Sequence, residues 1–145
     1  MTEKQKIEWS LLLLRLGVFV VMLAWTIDKF TTPEHAARVF ENFYSIGGLG
    51  ATVMMIVGAV ELLIILAFVA GLWKRFTYSF VMVFHGISTL SSWKQYTIDI
   101  NLLFFAAWPM LAACVALYLL RDLDVRFTAG HAPSPVKGED RESPR

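Results

Sequence analysis

Four long apolar stretches limit what this 145-residue chain can fold into. A bilayer core about 30 Å thick takes about 20 mainly apolar helical residues to cross, and residues 10–27, 49–73, 76–93 and 100–120 meet that requirement. Inside hydrocarbon a segment must satisfy its own backbone hydrogen bonds, so each stretch is expected to be a helix. The composition agrees: 57% of residues are hydrophobic and 17% charged, against about 45–50% and about 25% in soluble domains. The expected fold is all-α, an integral membrane four-helix antiparallel bundle. The N-terminal segment 1–9 lies before it, the four-span domain covers 10–125, and a disordered tail covers 126–145. Net charge of +1 gives no basis for a nucleic-acid partner. The partners expected are the lipid bilayer and either another membrane protein or further copies of the chain.

Lys4 and Lys6 before a leucine run resemble the start of a signal peptide. However, no small-x-small cleavage site follows, and Trp25, Asp28 and Lys29 stand where one would be, so the first stretch reads as a retained span. Cationic residues outside the spans set the direction. Lys4, Lys6, Lys74, Arg75, Arg121, Arg126, Lys137, Arg141 and Arg145 fall on one side, against Lys29, Arg38 and Lys94 on the other. Arg15, near the first end, snorkels to the richer side. The location expected is a bacterial cytoplasmic membrane, crossed several times, with both termini cytoplasmic.

Between the first two spans, Thr32-Pro33-Glu34 has the form of a helix start: a capping hydroxyl, a proline in the first turn and an acid at the positive dipole end. Val39, Phe40, Phe43 and Tyr44 then cluster on one face, which predicts a short amphipathic interfacial helix on the outer side. Gly47, Gly48 and Gly50 end it. Lys74-Arg75 leaves so short a turn that spans two and three form a helical hairpin. Beyond Arg126, Pro133, Pro135 and Pro144 among mixed charges give the composition of a disordered end.

Glu61 and His85 sit near the middle of the second and third spans. An ionisable group at that depth costs about 2.5–3.5 kcal/mol for the fully charged types, so it needs a partner or a task. Depths counted from the shared turn differ by about 4–5 Å at 1.5 Å per residue, so the two side chains are expected to meet. Their hydrogen bond would fix the imidazole tautomer and provide a proton relay; equally, such a pair can simply hold two helices in register. His85, Ser88, Thr89 and Ser92 form one stripe of the third span, and Gly58 allows close approach beside Glu61.

Trp25 and Lys29 close the first span, Trp93 and Lys94 the third, and Trp108-Pro109 adds a ring and an expected kink in the fourth. Such residues are ordinary interfacial anchors. The functional alternative is a cationic, aromatic mouth leading to His85, suited to a quinone headgroup or a small anion. No cofactor is specified outright; a quinone is the candidate. One histidine and one carboxylate fall short of a zinc site, and His35 and His131 lie in a loop and the tail, so no metal site is expected. Cys114 stands alone, which excludes dithiol exchange within one chain, and reads as a small buried hydrophobe.

Several of these residues resemble the DoxX-like family of small four-helix membrane proteins. The likeness covers roughly residues 10–125 and rests on Arg15-Leu16-Gly17, Trp25-x-x-x-Lys29-Phe30, Gly58-x-x-Glu61 and Gly71-Leu72-Trp73-Lys74-Arg75. It implies an association with membrane oxidoreductase complexes, among them thiosulfate oxidation with quinone as acceptor and defence against oxidative stress. The chain has no flavin or nucleotide fingerprint, so electrons would come from a partner subunit or a bound cofactor. The reading from another class is a non-catalytic membrane scaffold or assembly factor, in which the polar residues only specify packing.

Overall fold

The computed structural model describes residues 1–130, and every regular element among them is a helix. Helix α1 runs Glu3–Thr31, α2 Pro33–Tyr44, α3 Ala51–Val69, α4 Lys74–Ser91, α5 Trp93–Thr97 and α6 Ala107–Leu119; a 3-10 segment, Leu102–Ala106, leads into α6. Among the described residues, three segments are long and apolar enough to cross a membrane: Glu3–Thr31, Ala51–Val69 and Leu102–Leu119. α4 is not among them, because Lys74, Arg75, His85 and a set of serines and threonines dilute its apolar residues.

Local chemistry moves several boundaries away from the apolar runs. α1 begins well before residue 10 because Thr2 and Gln5 form a reciprocal capping box: the Gln5 amide donates to Thr2 Oγ1 at 3.2 Å and the Thr2 amide to Gln5 Oε1 at 2.9 Å. At 29 residues it is about 43 Å long. α3 stops at Val69 in a Schellman turn: Gly71 at φ +66° lets its amide reach Phe68 O and the Leu72 amide reach Ala67 O. Pro109 lies in the first turn of α6, where no intrahelical bond is lost, and the 3-10 segment precedes it. The expected kink within a continuous helix is therefore a helix restart.

α1 packs on α3 and α6, and α4 on α3 and α6. Their common core includes Val18 and Met22 of α1, Ile65 and Phe68 of α3, Val81 of α4 and Leu117 of α6. Phe68 and Tyr78 meet edge to face with centroids 4.9 Å apart. Buried Cys114 fills a place in the same core.

α2 starts with Pro33 in its first turn, as the sequence predicts, but the Thr32 hydroxyl does not cap it. It donates instead to Asp28 Oδ1 at 2.5 Å, and His35 Nδ1 lies 2.7 Å from Asp28 Oδ2, so the α1–α2 corner is closed by α1's own carboxylate. α2 rests on α1, α3 and α4.

Past α6 the chain folds back. Arg126 to Gly130, which the composition assigns to the tail, dock on the α3–α4 turn: the Ala129 amide donates to Ala70 O at 2.8 Å, and Thr128 sits over Gly71. The remaining tail residues, with His131, Pro133, Pro135 and Pro144, lie outside the described residues.

Candidate functional site

Glu61 is buried on α3, and the group beside it is Lys29, not His85. Lys29 Nζ lies 2.8 Å from Glu61 Oε2, with both side chains almost wholly shielded. The juxtaposition comes from Gly58, one turn before Glu61. A Cβ there would stand 3.1 Å from Lys29 Cβ and from the Phe30 ring, so the bare glycine lets α1 approach α3 closely enough to bring the lysine over the carboxylate. The ammonium also donates to Trp25 O at 3.2 Å. Its approach to Glu61 is off the hydrogen-bonding direction, and neither carboxylate oxygen has a hydrogen-bond donor among the described residues. The contact is thus held by charge. A bare carboxylate at this depth would be costly, and the ammonium offsets that cost.

His85 takes other partners, on α4 itself and at the start of α6. Nε2 lies 3.0 Å from Ala107 O and 3.4 Å from Thr89 Oγ1, whose hydroxyl donates to His85 O at 2.8 Å. A carbonyl can only accept, so Nε2 carries the proton, and Nδ1 of the neutral ring is left as an acceptor. The expected Glu61–His85 hydrogen bond is not made. Equal depth on a hairpin does not ensure facing side chains: Glu61 turns toward α1 and His85 toward α6.

Lys29 and His85 nevertheless meet one space. A cavity of about 660 Å³ lies between α1, α4 and the start of α6, with α2 as its roof. The α2 face Val39, Phe40, Phe43 and Tyr44 closes it from above. Its polar lining comes chiefly from Lys29, His85, Ser88 and Ser92, and Trp25 stands at its edge. Leu14, Val18 and Met22 extend the wall down α1. The volume is that of a small-molecule site, and an apolar lining with a few convergent polar groups is the usual form of one.

The structure thus brings Trp25, Lys29 and His85 of the sequence candidates to one cavity and leaves four others outside its wall. Trp93 and Lys94 start the short α5 and face outward, the ammonium 5.8 Å from the neighbouring indole. Trp108 packs on Tyr96, with ring centroids 5.7 Å apart, on the outer surface of α6. Glu61 stands behind Lys29 and does not line the cavity.

A second buried ion pair escapes the sequence reading. Arg15 Nη1 lies 3.0 Å from Asp124 Oδ2, both fully buried, and Tyr78 donates to the same oxygen at 2.6 Å. Arg15 also donates to Arg126 O, and Lys74 to Asp124 O. Arg15 is therefore committed inward and does not snorkel. Its signal in the sequence is a charge within a span and an opposite charge, Asp124, among apolar residues past the last one. Of the motif residues, Arg15 belongs to this cluster and Gly71 borders it, while Lys29, Phe30, Gly58 and Glu61 make the other.

No protein-family model, curated protein or solved structure matches the chain.

Proposed function

We propose that this chain is a DoxX-like multi-pass membrane protein whose cavity binds the headgroup of a quinone, serving a membrane redox system. In this reading α1, α3, α4 and the Leu102–Leu119 segment cross the bilayer as an antiparallel bundle with both termini cytoplasmic. The short turn between α3 and α4, and the burial of α4 against α3 and α6, support a fourth crossing by a helix too polar to face lipid alone. The excess of Lys and Arg at the N-terminus, the Lys74-Arg75 turn and the segment after α6 supports the orientation.

The observation that carries the ligand assignment is one apolar cavity bordered by a neutralised lysine and a histidine with a free acceptor nitrogen. The lysine arrives paired with Glu61, so the site has little net charge to offer a small anion. A neutral ring with carbonyl oxygens suits it better. Lys29 Nζ can donate to such a carbonyl, and His85 Nδ1 can take the proton of a quinol hydroxyl. Glu61, behind Lys29, then stabilises the ammonium and holds its place. Electrons would pass to or from a partner subunit or another bound cofactor.

The test is thermal unfolding of the detergent-purified protein with and without added quinone. A ligand at a hundredfold excess over its dissociation constant should stabilise the fold by about 2.7 kcal/mol. Lys29→Ala and His85→Ala should weaken that effect; Trp93→Ala and Lys94→Ala, which lie outside the cavity, should not. Two buried ion pairs that fasten distant segments favour the scaffold reading as the second choice. A protein that ignores quinones and co-purifies stoichiometrically with another membrane protein would establish the scaffold and sink the quinone site.

A further inference from the structure

The cavity is asymmetric in chemistry and in enclosure. Its polar residues Lys29, His85, Ser88 and Ser92 gather beneath α2, while the far end, reached along α1, is apolar. From Lys29 down to Leu13 the wall follows α1 for about 24 Å at 1.5 Å per residue, much longer than a single ring requires. It is also unsealed along that length. Leu13, Gly17, Val21 and Trp25 recur every fourth residue on one face of α1; all four line the cavity, and all four are exposed. Gly17 is the low point of this edge: a Cβ built there meets no atom within 4 Å. α1 and α3 approach elsewhere, at Gly58, so Gly17 is not needed for that close contact.

We infer that the ligand is a single-tailed amphiphile whose headgroup sits under α2 and whose tail leaves the cavity sideways over Gly17 into the surrounding hydrocarbon. The inference rests on the quinone reading and adds the route and tail class to it. A glycine at the edge leaves a saddle between Leu13 and Val21, through which a flexible chain passes without displacing a side chain. The exposed edge is apolar, so the path joins the cavity to lipid and not to water.

The experiment compares one dimethoxy-methyl benzoquinone headgroup without a tail and with a decyl tail, read as the concentration giving half-maximal thermal stabilisation of the purified protein. In the unsubstituted protein both should stabilise, the tailed form at lower concentration. Gly17→Phe fills the saddle and should raise the half-maximal concentration for the tailed quinone by about tenfold, the equivalent of losing roughly two buried methylenes. The tail-less quinone should be unaffected, and Gly17→Ala should leave both unchanged. If Gly17→Phe does not yield folded protein, Val21→Trp narrows the same edge from the next turn and carries the same expectations. Equal weakening of both quinones, or of neither, overturns the lateral route while leaving the headgroup site standing. No stabilisation of the unsubstituted protein by either quinone overturns the headgroup site and the route with it.

Discussion

Breaking the Lys29–Glu61 pair tests whether a charge contact without hydrogen-bond alignment holds α1 on α3. The two side chains are 6% and 4% exposed and 2.8 Å apart. At an effective dielectric of about 20, two unit charges at that distance attract by about 6 kcal/mol. Desolvating the two ions costs several kcal/mol each, so the pair as a whole contributes little net stability. Removing one member is another matter, because it strands the other. Lys29→Met should cost about 3–5 kcal/mol, and Glu61→Gln a comparable amount. The double variant strands nothing and should cost less than either single variant, giving a coupling energy of at least about 3 kcal/mol. Unfolding in mixed micelles at increasing SDS fraction, followed by far-ultraviolet circular dichroism, measures all four corners of the cycle. The companion cycle, Glu61→Gln with His85→Asn, should be additive within about 0.5 kcal/mol, since those residues share no contact. Additivity in the Lys29–Glu61 cycle, or coupling of the second cycle at the strength expected for the first, would refute the assignment of Glu61 to Lys29.

Tyr78→Phe should cost about 1.5–3 kcal/mol, because it removes a hydrogen bond to the buried Asp124 carboxylate. Asp124→Ala should in addition speed tryptic cleavage after Arg126, a residue otherwise held by Glu8 at 3.2 Å and by the Trp9 ring; unchanged cleavage would mean that the segment is anchored some other way. Gly71→Ala should destabilise by more than about 1 kcal/mol, from its positive φ and from a Cβ placed 2.5 Å from Thr128 Cγ2, and combination with Thr128→Gly should recover part of that loss on thermal melts. In a Cys114→Ala background, an impermeant maleimide applied from outside should label Glu41→Cys and miss Lys4→Cys; the reverse pattern would invert the proposed orientation.

α1, α3 and α6 were legible in the sequence because each lies in a long apolar run, and α2 because its proline start and amphipathic face are local signals. Partnerships were harder to read, and Glu61 shows why. Its isolation in an apolar span marked it as a residue needing a counterpart, and the hairpin with α4 offered His85 at a suitable depth. Depth along a helix says nothing about the direction in which the side chain leaves it. Lys29 reads from the sequence as an interfacial anchor or as part of an outer mouth, both on the premise that the end of α1 marks the membrane surface. The contacts of Gly58 show otherwise: Lys29 Cβ and the Phe30 ring lie beside it, so the last turn of α1 is level with the middle of α3. The first two turns of α3 therefore continue past the end of α1, and α2, packed on α1 and α3 alike, fills the step between them. That inset position explains why the apolar face of α2 is taken up by the cavity instead of lying free on an outer surface. Arg15 and Asp124 follow the same logic at the other end. They stand 109 residues apart, and no periodicity links them. What would have linked them is the rule that a charge buried in an apolar span must be answered by its opposite, applied to the whole chain and not to neighbouring helices alone.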